Sequence, residues 1–165
     1  MEGKREIQNI YPLTPMQEGM LYHSLVNKGS HAYYEQVSFD MHHPVNISLL
    51  EKSINTVIAR HEALRTVFNH KTTKRPIQIV LKRRHAKVYY EDITSMDQAL
   101  KQSHIQRYKH MQKERGFDLS RDLLINLAVF RTDSEIHHLI FSFHHIIMDG
   151  WCLGIILKEL FQVYK

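Results

Sequence analysis

The last third of the chain contains the pattern that most constrains its fold. Over residues 136–145, apolar and polar side chains alternate, and this alternation predicts a β-strand with one face in the core. His144 and His145 end the strand, and Asp149 follows a few residues later. An apolar stripe at helical spacing over residues 150–164 then predicts a helix. A strand that passes through a short turn into a helix holds its last side chains at the edge of a sheet, where a cleft can form.

Helix caps and hydrophobic periodicity place the other elements. Thr14, Pro15 and Gln17 predict a helix start, with Thr14 as N-cap and Gln17 completing a capping box. Residues 124–131 and 136–145 form a predicted β-hairpin. The fold class expected for this mixture is α+β in one domain, with a mixed or largely antiparallel sheet flanked by helices. Further strands are predicted over 34–41, 64–69, 77–82 and 87–93, and further helices from Asn46 and from about Ser95 to Arg115, before Gly116.

Composition excludes several classes of protein. The single cysteine, Cys152, leaves no internal disulfide and is typical of a reducing, cytoplasmic setting. The N-terminus does not resemble a secretory signal, and no apolar run approaches the ~20 residues that span a membrane. The net charge of +5 favours acidic partners. No nucleic-acid motif accompanies this charge, so nucleic acid is not an expected partner.

Two basic clusters are candidate contacts for acidic proteins or phosphate groups. They cover residues 71–75 and 82–85. Solvated surface charge explains either cluster taken alone. The thirteen histidines do not predict a metal site, because no HExxH motif and no second cysteine occur.

The strand alternation suggests different roles for the two adjacent histidines. His145 falls on the same face as Leu139, Phe141 and Phe143, where burial would favour the neutral imidazole. A neutral imidazole can accept a proton, so His145 is the candidate catalytic base. His144 falls on the opposite face and is expected to orient its neighbour.

The residues around the histidines allow two interpretations of Asp149. It can cap the final helix, or it can form an ion pair with Arg60 or Arg65 that braces the loop carrying His145. Trp151 is expected to anchor the final helix in the core. Cys152 is a poor nucleophile candidate within the helix, so an enzyme of this kind would activate the nucleophile of its substrate.

Four segments together resemble the condensation domains of nonribosomal peptide synthetases. Residues 144–151 match the HHxxxDG signature, residues 11–21 resemble the opening motif, and residues 60–68 resemble the RHExLRTxF motif. Residues 117–120 match the FDLS segment. Asp122 departs from the pattern, since many members have proline there.

The resemblance implies a fold of two chloramphenicol-acetyltransferase-like lobes in a V, with the histidine motif at the floor of a tunnel. Such domains are much longer than this chain, so residues 1–165 are expected to form the N-terminal lobe without the C-terminal lobe. Alone, such a lobe is expected to be an incomplete catalyst.

The resemblance also implies a reaction. The α-amine of an acceptor aminoacyl thioester attacks a donor acyl or peptidyl thioester and forms an amide bond. His145 would be the catalytic histidine, as base, positioner or stabiliser of the tetrahedral intermediate. Asp149 would be structural, with Arg60 as its ion-pair partner, and Gly150 would form a tight turn.

The implied substrates arrive on the 4'-phosphopantetheine arms of donor and acceptor peptidyl carrier proteins, so no cofactor is expected to bind directly. The C-terminal lobe and an adjacent adenylation domain would be the other partners. Two alternatives remain. The chain could be a lobe of an epimerisation or acyl-CoA-dependent acyltransferase domain, although Trp151 after Gly150 favours condensation. It could also be a non-catalytic module that docks carrier proteins and is indifferent to His145→Ala.

Overall fold

The computed structural model describes residues 6–27, 29, 31–71 and 75–165. Within these ranges the chain forms seven strands and four α-helices. The strands are β1 (Ile7–Pro12), β2 (Tyr34–Met41), β3 (Thr66–Asn69), β4 (Ile77–Leu81), β5 (Tyr89–Asp92), β6 (Ile125–Arg131) and β7 (His137–His144). The helices are α1 (Pro15–Val26), α2 (Ile47–Arg60), α3 (Gln98–Arg115) and α4 (Gly150–Tyr164), and a 3-10 turn (Glu62–Arg65) joins α2 to β3.

The strands form two sheets. The larger sheet has the order β2-β7-β6-β5, with β7 antiparallel to both of its neighbours and β5 parallel to β6. The smaller sheet is antiparallel and has the order β1-β4-β3. The predicted α+β class, the mixed sheet and the β6–β7 hairpin are therefore confirmed. Strand β1 was not predicted, because its residues are mostly exposed and show no apolar face.

Helices cover both faces of the larger sheet. Helices α2 and α4 pack on the face that contains Leu139, Phe141 and Phe143, all of which are buried. Helix α3 covers the other face through Ile105 and Tyr108. A smaller core joins α1 to the loop after β7 and contains Leu13, Leu21, Phe68, Leu119, Leu124 and Ile146.

Most predicted helix boundaries are confirmed. Thr14 caps α1 and forms the reciprocal capping box with Gln17. Asn46 caps α2. Helix α3 begins after Asp97 as N-cap rather than at Ser95, and it ends at Gly116, whose φ of 59° is the left-handed conformation that glycine adopts easily.

The second basic cluster, residues 82–85, lies outside regular structure at the end of β4. Two of its members already have partners: Lys82 lies 3.3 Å from a carboxylate oxygen of Glu6, and Arg84 donates to the carbonyl of Arg121 at 2.9 Å. The first cluster is incomplete here, because residues 72–74 lie outside the described residues. In the part of the chain that is described, no helix is long and apolar enough to cross a membrane.

Candidate active site

The two adjacent histidines lie where β7 leaves the sheet. His144 is the last residue of β7 and pairs with Tyr34 of β2. The backbone N–H of His144 donates to the carbonyl of Leu124 at 3.1 Å, and that of His145 donates to the carbonyl of Tyr33 at 2.9 Å. These two bonds extend the strand pairing past the end of β7, so neighbouring segments on both sides fix where the histidine pair sits.

The burial of the two histidines is the reverse of the prediction. His144 is buried, with 6% of its surface exposed, whereas His145 is only half-buried. Strand β7 ends at His144, and His145 begins the turn, so the alternation that assigned His145 to the buried row stops one residue too early. Burial therefore keeps His144 neutral, and the argument that burial selects His145 as base is wrong.

The ring of His144 is held from within its own turn. Its Nδ1 accepts a hydrogen bond from the backbone N–H of Ile146 at 3.1 Å, which places the ring hydrogen on Nε2 in the neutral form. The ring lines a cavity of about 150 Å³ together with Tyr33, Arg115 and Phe117, and His145 is not part of that lining. The two imidazoles thus face different sides of the strand end.

Burial lowers the pKa of His144 from 6.5 to about 4, and the neighbouring charge of His145 lowers it further. The unfolded chain therefore takes up this proton at a higher pH than the folded chain. We expect the free energy of unfolding to be fully present above pH 6.5 and to fall as the pH falls towards 4, by about 3 kcal/mol. Below pH 4 this contribution no longer changes.

Urea denaturation between pH 4 and pH 8 measures this effect. The matched variant is His144→Asn, whose side-chain oxygen can still accept from Ile146 N–H but does not titrate. We expect the pH slope between 4 and 6.5 to be shallower in the variant. Equal slopes in the two proteins would contradict the assignment of this slope to His144.

Asp149 is the N-cap of α4. Its Oδ1 accepts from the backbone N–H of Cys152 at 2.9 Å, and its carbonyl accepts from that of Leu153 at 3.1 Å. The hydrogen bond from Cys152 is the main cause that lowers the pKa of the Asp149 carboxyl, and the charge of His145 contributes. The capping interpretation is confirmed, and the cap fixes the junction between the histidine turn and the helix.

The ion pair between Asp149 and an arginine is wrong. Arg60 is exposed at the end of α2 and pairs with Glu159 of α4 at 2.7 Å. Arg65 is buried and donates to the backbone carbonyls of Ile58, Leu81 and Lys82. Its guanidinium also donates to Gln8 at 2.8 Å. Both arginines therefore support the scaffold at a distance from the histidine turn.

Two further expectations are corrected at the start of α4. Gly150 is the first helical residue and has no left-handed backbone; a Cβ there would meet nothing within 4 Å, so no tight turn requires glycine. Trp151 is 88% exposed and is no core anchor. The buried stripe of α4 runs through Ile156 and Leu160, which places Trp151 and Ile155 on the opposite face of the helix.

Sequence reasoning did not identify the residues that hold the histidine turn from outside. Tyr33 supplies the carbonyl for His145, and Gln17 donates from Nε2 to the carbonyl of Ile146 at 3.3 Å. The Ile146 side chain is buried in the smaller core with Leu13 and Leu21. The capping box did draw attention to Gln17, but no local pattern reports a contact across 129 positions.

The described residues contain no group of three or more histidine, cysteine or acidic side chains placed to bind a metal ion. The site thus consists of a half-buried imidazole, His145, beside a buried neutral one and a capped helix N-terminus. The Nδ1 of His145 is buried and lacks a hydrogen-bond partner among these residues.

Comparison with known proteins agrees with this arrangement. The family model for the condensation domain matches residues 7–165. Surfactin synthase subunit 2 of Bacillus subtilis (strain 168) is 44% identical over 163 residues, which is 99% of this chain and 4% of that protein. Gramicidin S synthase 2 of Brevibacillus brevis is 42% identical over 161 residues, which is 98% of this chain and 4% of that protein.

Solved structures show the same fold. The starter condensation domain of the rhizomide synthetase RzmA superposes with a TM-score of 0.85 at 19% identity, covering 95% of this chain and 39% of that chain. The first condensation domain of the calcium-dependent antibiotic synthetase gives a TM-score of 0.84 at 16% identity, covering 96% of this chain and 40% of that one. The fold, the matched family model and the identity to the two synthases together show that this chain belongs to the condensation domain family of nonribosomal peptide synthetases.

Proposed function

We propose that this chain is the N-terminal lobe of a condensation domain that forms an amide bond between two carrier-bound thioesters. The observation that carries the proposal is the position of His145, half-buried at the end of a core strand and backed by the buried neutral His144. Donor and acceptor would be presented on the 4'-phosphopantetheine arms of two peptidyl carrier proteins. An adenylation domain of the same synthetase would charge the acceptor carrier.

The reaction balances without a further reactant. The amine nitrogen of the acceptor attacks the thioester carbonyl carbon of the donor, and a C–N bond forms while the carbonyl oxygen becomes negatively charged. The carbonyl re-forms as the C–S bond breaks. The proton lost by the amine ends on the sulfur, so the products are an amide on the acceptor arm and a free thiol on the donor arm. An α-amine has a pKa near ~8, so a useful fraction is already neutral at pH 7.

The environment of His145 favours one of the three roles open to it. Its buried Nδ1 has no partner among the described residues, and a buried N–H without an acceptor is rarer than a buried acceptor without a donor. The hydrogen is then on Nε2, the ring nitrogen that a substrate could reach. We propose that Nε2–H donates to the thioester oxygen as its negative charge develops, as donors of an oxyanion hole do.

The apolar surface beside the site supports the assignment to a single lobe. Trp151 and Ile155 are 88% and 53% exposed on one face of α4, one turn apart, next to the capped start of the helix. The chain covers about 40% of the solved condensation domain from the calcium-dependent antibiotic synthetase. We propose that a C-terminal lobe of the parent protein covers this face, and that the lobe alone makes little product because it cannot orient two substrates or exclude water.

Trp151 gives a direct test of the covered face, because it is the only tryptophan in the chain. The chain labelled with 5-fluorotryptophan can be ligated to the unlabelled residues that follow it in the parent protein. We expect the fluorine resonance to shift and its solvent isotope effect to decrease on ligation, since the indole leaves water. A resonance that stays solvent-exposed would contradict the proposal that the second lobe covers Trp151.

The proposed reaction is tested with the chain joined to those following residues. A donor aminoacyl carrier and an acceptor aminoacyl carrier are mixed with the joined protein, and the acceptor carrier is followed by intact-protein mass spectrometry. A mass increase by one donor residue supports amide formation. If the acceptor amino acid were instead converted to its mirror image without a mass change, the epimerisation alternative would replace the proposal.

A further inference from the structure

Gln17 connects the first motif of the chain to the histidine turn. Its amide Nε2 donates to the carbonyl of Ile146 at 3.3 Å, directly after His145 in the chain. Its Oε1 accepts from the backbone N–H of Thr14 at 3.0 Å in the capping box. Gln78 of β4 lies beside it and donates to the same Oε1 at 3.2 Å. One side chain therefore contacts the start of α1, the smaller sheet and the histidine turn.

The orientation of the Gln17 amide is fixed by its partners. Thr14 N–H requires an acceptor and the Ile146 carbonyl requires a donor, so Oε1 must face the first and Nε2 the second. Gln78 is itself oriented, because its Nε2 also donates to the carbonyl of Pro12 at 2.9 Å. The amide cannot flip without losing bonds at both ends, which suits it to hold a loop in one position.

The contact falls at the one side of the turn that other bonds leave open. The backbone N–H groups of His144, His145, Ile146 and Ile147 are all engaged, by Leu124, Tyr33 and His144 itself. The Ile146 side chain is buried at 3% exposure beside Leu13 and Leu21 of the first motif. Gln17 adds the bond to the Ile146 carbonyl, so the residue after His145 is held at its N–H, its side chain and its C=O.

We propose that Gln17 is a positioning residue, which holds the His145 ring in its catalytic place through the Ile146 carbonyl. This rests on the proposed function for the role of His145, but the bond itself does not. Its helix-capping role is already accounted for by Oε1 alone. The Nε2 half of the side chain has a separate task in the histidine turn.

Two substitutions separate these tasks. Gln17→Glu is nearly isosteric and keeps an acceptor for Thr14 N–H, but it replaces the donor to Ile146 with a carboxylate oxygen. Thr14→Ala removes the hydroxyl that accepts from Gln17 N–H at 3.2 Å and leaves the Ile146 bond in place. The first variant disturbs the turn and keeps the cap, and the second does the reverse.

Hydrogen exchange in this chain gives a readout that needs no catalysis. With Gln17→Glu, we expect the amides of His145 and Ile146 to exchange about fivefold faster, as loss of one hydrogen bond allows. With Thr14→Ala, faster exchange should be confined to the first turn of α1. Equal exchange of His145 and Ile146 in the wild type and in Gln17→Glu would overturn the proposal.

The joined protein gives the second readout. If the wild type makes the amide product, we expect Gln17→Glu to lower kcat by about tenfold with KM changed less than about twofold, because the substrates bind as before but the imidazole is misplaced. An unchanged kcat would overturn the positioning role. A wild type that makes no product would instead reject the proposed function, and the exchange experiment would then decide the role of Gln17 by itself.

Discussion

Replacement of Arg65 by methionine is expected to lower the free energy of unfolding by about 3–5 kcal/mol. Arg65 is 6% exposed, and its guanidinium reaches three backbone carbonyls, at the end of α2 and at the end of β4. Methionine fills a similar volume but leaves these carbonyls without donors in a buried site. The loss of several charge-assisted bonds outweighs the gain from removing a buried charge, because carbonyl dipoles already compensate that charge.

Arg60→Met in the same motif is the matched control. Arg60 is exposed and contacts a single partner, Glu159, so its replacement should change stability far less. Arg65→Lys should also destabilise, since an ammonium group cannot reach all of these separate acceptors with the planar fork of arginine. Urea denaturation with unchanged m-values measures all three. Similar losses for Arg60→Met and Arg65→Met would contradict this account.

The parts of the fold that the sequence predicts are those that local chemistry determines. The capping box of Thr14 and Gln17 requires only four neighbouring residues, and the structure contains it. The β6–β7 hairpin follows from alternation on both sides of a polar turn, and its register pairs Arg131 with His137. Gly116 ends α3 because glycine tolerates the left-handed conformation found there.

The parts that the sequence did not predict depend on tertiary contacts. Strand β1 exists because it pairs with β4, although it buries little of its own surface. Arg60 and Arg65 are five positions apart, and nothing local tells the exposed one from the buried one. The burial of His144 depends on where β7 ends, because one residue of difference exchanges the two faces of a strand.

Trp151 was misplaced for a related reason. A large aromatic residue at the start of an amphipathic helix is usually an anchor, but here the stripe through Ile156 and Leu160 turns it outwards. The rule that aromatic side chains are buried holds for a complete domain. On the present account, the exposed indole belongs to a surface that the second lobe covers, so the error itself points to the interface.

Replacement of His145 by alanine is expected to lower the rate of amide formation by ~10²–10⁴-fold while the fold is unchanged. The imidazole is half-buried, and neither ring nitrogen has a hydrogen-bond partner among the described residues, so its loss breaks no structural bond there. His145→Gln separates the possible roles. Glutamine can donate an N–H to the developing oxyanion but cannot serve as a base, so we expect it to be at least about tenfold more active than alanine.

The most direct measurement compares product formation by the wild type, His145→Ala and His145→Gln. Each is joined to the residues that follow this chain in its parent protein, and dipeptidyl-carrier formation is followed by intact-protein mass spectrometry after circular dichroism has shown equal folding. The account predicts rapid product with the wild type, almost none with alanine and an intermediate rate with glutamine. Undiminished product with His145→Ala would contradict the claim that this histidine lies at the reaction centre.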